Sequence, residues 1–156
     1  MTNQRPTLDA YYLQMTALVA SRATCARRKV GCVLVDVNGH VMATGYNGVA
    51  RGLPHCIDSP CEGANQPSGQ GLHLCQAIHA EQNALLQCRS THEIFAAYVT
   101  SSPCIQCMRL LANTSVQRIV FSERYPHVES ERIAAQRGIQ WIHHGSSGED
   151  VPAVLL

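Results

Sequence analysis

The chain has no apolar run of the roughly 18 residues that a membrane-spanning helix needs. Its opening residues, Met1-Thr2-Asn3-Gln4-Arg5-Pro6, are polar and carry no apolar signal core. The expected compartment is therefore the cytoplasm, with no membrane partner. No excess of charge exists either: the net charge is +1 and the pI about 7.6. That argues against bulk electrostatic binding to nucleic acid. Repeats, charge blocks and low-complexity linkers are absent. Lysine is nearly absent too, since Lys29 is the one lysine among twelve basic residues. Codon bias would explain that, and so would phosphate recognition, because guanidinium binds phosphate bidentately.

Against these absences stand eight cysteines and eight histidines in 156 residues. A chain without an export signal is not expected to use its thiols in a disulfide framework. Metal binding or catalysis is the better explanation. The length fits one domain, 1–156, and the composition, 46% apolar and 15% charged, excludes a disordered tail or a coiled coil.

The pattern of apolar residues predicts an α-β-β-α-β-α-β-α-β order. Leu8, Tyr11, Tyr12, Met15, Leu18 and Val19 mark a helix over 8–22, with Thr7 as its cap. Val30–Asp36 and Val41–Tyr46 read as strands around an Asn38-Gly39 turn. Helices are expected over 79–89, 104–113 and 128–137, the last stopped by Gly138. Strands are expected at Phe95–Thr100, Arg118–Ser122 and Ile139–His143. Alternation in the second half implies parallel pairing. The fold class is α/β, a three-layer α/β/α sandwich on a mixed five-stranded sheet. The stretch 47–75 is rich in Gly and Pro, and too long for an empty loop. The tail 145–156 is expected to fray.

His79-Ala80-Glu81 followed by Pro103-Cys104-Ile105-Gln106-Cys107 resembles the H-x-E…P-C-x-x-C signature of zinc deaminases. The chemistry accounts for the spacing. Cys104 opens a helix, where partial positive charge favours a thiolate. Cys107 lies three residues on, on the same helical face. His79 arrives from a neighbouring helix. Three protein ligands leave a fourth zinc position for water, as in catalytic sites. Glu81 is not needed as a ligand and is free to shuttle a proton. A zinc ribbon would want a second Cys-x-x-Cys, which is missing, and a redox pair would not explain His79 and Glu81.

Further segments carry a narrower resemblance. Cys25-Ala26-Arg27-Arg28-Lys29-Val30-Gly31, Gly45-Tyr46-Asn47-Gly48, Gly52-Leu53-Pro54-His55-Cys56, Leu72-His73-Leu74-Cys75 and His79-Ala80-Glu81-Gln82-Asn83-Ala84 together resemble the deoxycytidylate (dCMP) deaminases. The likeness spans nearly all of 8–142. It implies the cytidine deaminase type of sandwich and hydrolysis of dCMP to dUMP and ammonia, which supplies dTMP synthesis. It also implies homo-oligomers, commonly hexamers, activated by dCTP with Mg2+ and inhibited by dTTP. The regulatory segment would include Gly48, Arg51 and Gly52. Here the family proline of that segment is Ala50. The implied substrate contacts are Asn47 at the sugar hydroxyl, Arg27 at the phosphate, Tyr125 over the sugar-phosphate, and the backbone of Ser101 and Ser102 at the base amine. The bland alternatives are a turn asparagine, a solvated arginine and a packing tyrosine.

Cys56, Cys61, His73 and Cys75 make a candidate second, structural zinc site that would hold the long insert, with His55 as a substitute for His73. Cys25, Cys32 and Cys88 read as small buried hydrophobes. A tRNA adenosine deaminase remains an alternative, though it wants a basic surface. Nucleoside and riboflavin-pathway deaminases share the zinc residues, and a non-catalytic zinc scaffold would not need Glu81.

Overall fold

The computed structural model describes residues 5–145 apart from 68 and 126. The expectations for the extreme N-terminus and for the tail after Gly145 lie outside the described residues. Five strands and four α-helices run in the expected order: α1 (Leu8–Ala20), β1 (Gly31–Val35), β2 (Val41–Tyr46), α2 (Ala80–Gln87), β3 (Ala96–Ser101), α3 (Ile105–Ala112), β4 (Arg118–Glu123), α4 (Val128–Arg137) and β5 (Gln140–His143). Two short 3-10 turns, Leu72–Leu74 and Thr91–Glu93, were not foreseen. Most other differences are a residue or two at element ends.

The local reasons are visible in the backbone. Thr7 Oγ1 accepts from the Ala10 N–H at 3.2 Å and so caps α1. The β1–β2 turn is held by Asp36, whose carboxylate accepts from the backbone N–H of Asn38 at 2.9 Å and His40 at 2.8 Å. Gly39 sits at φ +81°, a conformation few other residues adopt. Gly138 ends α4 at φ +68°.

The strand order is β2-β1-β3-β4-β5. β1 is antiparallel to β2 and β3, while β3, β4 and β5 are parallel. Side chains alternate across the sheet with period two. Val33, Val35, Ala96, Tyr98 and Val120 face α1 through Tyr12 and Leu13. Cys32, Leu34, Ala97, Val99, Ile119 and Phe121 share the other core, with Ala80 and Ala84 of α2, Met108 and Leu111 of α3 and Ala134 of α4. The result is a three-layer α/β/α sandwich. Its second layer carries both helices whose N-termini bear the candidate metal ligands.

α1 is pinned to the sheet by a polar cluster as well as by apolar burial. Arg118 donates to Asp9 at 3.0 and 3.3 Å, and the Tyr98 hydroxyl donates to Asp9 at 2.7 Å. Burial and this bond to a carboxylate push the Tyr98 pKa up, so its proton stays in place. Replacing Asp9 by Ala leaves a guanidinium and a hydroxyl without their partner. The expected cost is about 2 kcal/mol, read from a chemical denaturation midpoint. An unchanged midpoint would count against the pin.

Candidate active site

The site is built at two helix ends. His79 is the N-cap of α2 and Cys104 the N-cap of α3. The Gln82 side chain accepts from the His79 backbone N–H at 2.8 Å, which fixes the entry into α2. Cys107 follows in the first turn of α3 and is wholly buried. His79 Nδ1 lies 3.4 Å from each of the Cys104 and Cys107 sulfurs. All three ligand atoms are within 4.8 Å of one another. Ligands about 2.0–2.3 Å from a tetrahedral zinc are separated by roughly 3.5 Å, so the group has the spacing that zinc requires.

The electrostatics of the three are coupled. Hydrogen bonding with Cys107, and then with His79, holds the Cys104 thiol down to about 3 against the cost of burial. Cys107 moves up, because its proton is held toward Cys104 and because it is buried. The hydrogen bond to Cys104 raises the His79 pKa. Glu81 stands beside this group at 4% exposure, and burial pushes its carboxyl up from the usual range. One open cavity is lined by His79, Glu81 and Cys104 together with Asn47, Arg27 and Tyr125.

The structure brings the expected substrate residues to this cavity but alters several roles. Asn47 is buried, and its amide is engaged at both ends. Its Oδ1 accepts from the Val30 N–H at 2.8 Å and its Nδ2 donates to the Arg28 carbonyl at 2.7 Å. It clamps the loop before β1, and one hydrogen and one lone pair remain for a ligand. Arg27 donates through Nη2 to the Pro67 carbonyl at 2.8 Å, while its buried Nη1 has no partner among the described residues. Arg28 donates through Nη2 to Glu123 at 2.8 Å and lies over the Tyr125 ring at 5.2 Å.

Ser101 and Ser102, whose backbone is expected at the base amine, line the cavity. The Ser102 hydroxyl accepts from the Tyr125 N–H at 2.6 Å and donates to the Tyr125 carbonyl at 3.1 Å, so its one proton is already committed. The regulatory segment is mixed. Arg51 and Gly52 are exposed. Gly48 is buried and bonded to Ile78 at 3.1 and 2.8 Å.

In the second candidate site, the Cys56 and Cys61 sulfurs are 3.7 Å apart. Cys61 and Cys25 both lie close enough to Cys75 to influence its thiol. His73 sits exposed on the 3-10 turn. Cys25 is buried, as read from the sequence, and stands beside Cys75. The set is looser than the first: among the described residues, only His79, Cys104 and Cys107 bring three ligand atoms within 4.8 Å of one another.

An α/β/α sandwich that gathers one imidazole, two thiols and a buried carboxyl at two helix N-termini is the architecture of zinc-dependent deaminases. Comparison with known proteins narrows the class. The model of the cytidine and deoxycytidylate deaminase zinc-binding region matches residues 6–123, and the chain belongs to that family. It is similar to the deoxycytidylate deaminase of Saccharomyces cerevisiae, 36% identical over 138 residues, covering 86% of this chain and 44% of that protein. The deoxycytidylate deaminase of Mycobacterium phage D29 is 38% identical over 123 residues, covering 75% of this chain and 95% of that one. The chain spans less than half the length of the two yeast relatives it matches. Among solved structures, the dCMP deaminase of cyanophage S-TIM5 in complex with dCMP and dUMP superposes with TM-score 0.71 at 25% identity, covering 92% of this chain and 99% of that chain. Among the described residues, no helix is long and apolar enough to cross a membrane.

Proposed function

We propose that this chain is a single-domain deaminase of the cytoplasm that hydrolyses dCMP to dUMP and ammonia. The observation that carries the reading is the His79, Cys104 and Cys107 triad with Glu81 buried beside it, in a cavity that Arg27 also lines. His79, Cys104 and Cys107 would hold the zinc, and their mutual spacing fits it. When bound, zinc supplies the Lewis acidity that makes a water nucleophilic near neutral pH. Glu81 would carry one proton of the attacking water to the ring nitrogen, where it stays, and the second to the leaving amine, which departs as ammonia. Its low exposure keeps bulk water from competing for the proton. Arg27 Nη1 binds the 5′-phosphate, for which a free guanidinium donor is suited. Tyr125 walls the nucleotide end, and Asn47 offers its remaining amide valences to the sugar.

Similarity to deoxycytidylate deaminases, one of them crystallised with dCMP and dUMP, supports this substrate over free nucleosides or tRNA. Regulation is proposed on the family resemblance: dCTP with Mg2+ activates and dTTP inhibits through the Gly48–Gly52 segment. A homo-oligomer, a hexamer by the same resemblance, is proposed as the working form. The exposed Leu86 on α2 and Leu110 on α3 leave apolar surface for a second copy. The test is ultraviolet absorbance during dCMP deamination, with and without dCTP and Mg2+. Turnover that rises with dCTP supports both substrate and regulation, and turnover indifferent to dCTP removes the regulation. A zinc-loaded protein that leaves dCMP untouched defeats the reading.

A second, structural zinc is proposed on Cys25, Cys56, Cys61 and Cys75, where it would pin the insert that walls the cavity. Metal analysis is then expected to find two zinc ions per chain. Cys61→Ser is expected to lose one of them, with a lower melting temperature, because metal binding contributes folding energy. One zinc in the unaltered protein, or two in the variant, would contradict this.

A further inference from the structure

Tyr125 is held more closely than a residue on a connecting loop needs to be. It lies between β4 and α4, where the chain has no ladder to define it. Ser102, on the stretch from β3 to α3, takes both polar ends of its backbone, accepting from its N–H at 2.6 Å and donating to its carbonyl at 3.1 Å. The Ser102 backbone N–H donates in turn to the Glu123 carbonyl at 2.8 Å. Ser102 is itself only 4% exposed, so these bonds are not shared with bulk water. Above the ring, the Arg28 guanidinium sits 5.2 Å from its centroid and is itself tied to Glu123 at 2.8 Å. On the far side, the Tyr125 hydroxyl meets the insert at Gly69, where an added Cβ would lie 3.4 Å from it.

These contacts join three separate segments around one cavity. The loop before β1 supplies Arg28, the insert supplies Gly69, and the β4–α4 loop supplies Tyr125, and all three line the same space as Glu81. The residue that fixes the last of them comes from the stretch that leads into Cys104. Ser102 therefore couples the position of the cavity wall to the segment that presents a metal ligand.

We propose that Ser102 is a positioning residue for nucleotide binding: its paired hydrogen bonds to the Tyr125 backbone set Tyr125 as the wall that closes over the nucleotide. This rests on the dCMP deaminase reading. The Ser102 hydroxyl acts through Tyr125, since both of its bonds go to that backbone. Its loss changes how well the nucleotide is held and leaves the proton transfers at Glu81 in place.

The experiment compares Ser102→Ala and Ser102→Thr with the unaltered protein. In Ser102→Ala, the KM for dCMP and its calorimetric Kd are expected to rise about tenfold, the weight of one to two hydrogen bonds. The kcat is expected to stay within about twofold, since no transition-state contact is removed. The Tyr125 amide, followed by hydrogen exchange in tyrosine-labelled protein, is expected to lose its protection. Ser102→Thr keeps the hydroxyl and is expected to restore all three. An unchanged Kd, or an equally protected Tyr125 amide in Ser102→Ala, overturns the assignment. A fall in kcat with KM unchanged also overturns it. If the unaltered protein turns over no dCMP, the deaminase reading fails separately, while amide exchange and the Kd for dCMP still decide the role of Ser102.

Discussion

Glu81→Gln is expected to lower kcat for dCMP by about a thousandfold while the protein keeps its fold and its active-site zinc. The substitution conserves volume in a position that is 4% exposed, so it opens no cavity. It removes the one group beside the triad that can accept a proton and return it. The triad's own side chains are untouched, since Glu81 is placed on α2 as a neighbour of His79, Cys104 and Cys107 and is not among the three gathered ligands. A thousandfold loss corresponds to about 4 kcal/mol of transition-state stabilisation. The check is a steady-state assay beside metal analysis of the same sample. Full turnover would remove Glu81 from the mechanism. Loss of zinc along with activity would make it a support for the metal instead.

Gly45→Ala is expected to have the largest effect on the fold. A Cβ there would lie 2.2 Å from the Ala80 carbonyl oxygen and 2.3 Å from the Ala84 nitrogen. Both are backbone atoms of α2, so no side-chain rotation relieves the contact. The helix that bears Glu81 and is capped by His79 must move off β2. The expected loss is about 3 kcal/mol, or a fall in melting temperature of roughly 10 °C. Zinc affinity should fall with it, because His79 moves away from Cys104 and Cys107. Gly52→Ala is the control. Gly52 sits at positive φ, +85°, and among the described residues nothing lies within 4 Å of an added Cβ. Its cost should be about 1 kcal/mol of backbone strain, with zinc retained. Equal effects of the two substitutions would contradict the close approach of α2 to the sheet.

Much of this arrangement is legible in the sequence, for identifiable reasons. α4 begins and ends where periodicity and Gly138 place it, and β2 keeps its expected bounds. The His79, Cys104 and Cys107 group is legible because metal chemistry leaves few residue types and fixed helical spacings to choose among. Roles that depend on partners far along the chain are not legible. Family resemblance places the Ser102 backbone near the base, but it does not show that the hydroxyl is taken by Tyr125. Asn47 looked free to read a sugar, yet it also clamps Arg28 and Val30. His73 has the right chemistry for a metal, but the 3-10 turn leaves it exposed, and Cys25 stands beside Cys75. A hydroxyl, an amide or a thiol has the same composition whether it is spent or free. Tertiary placement decides which, and sequence spacing across a long insert does not carry it.

If the chain hydrolyses dCMP, as proposed, water supplies the oxygen that replaces the amine. Incubating the zinc-loaded protein with dCMP in heavy-oxygen water, and weighing the product by mass spectrometry, tests it directly. The account predicts dUMP carrying one heavy oxygen on the pyrimidine ring, with one ammonia released for each dUMP formed. Recovery of dCMP intact with no ammonia, or dUMP without the label, would contradict it.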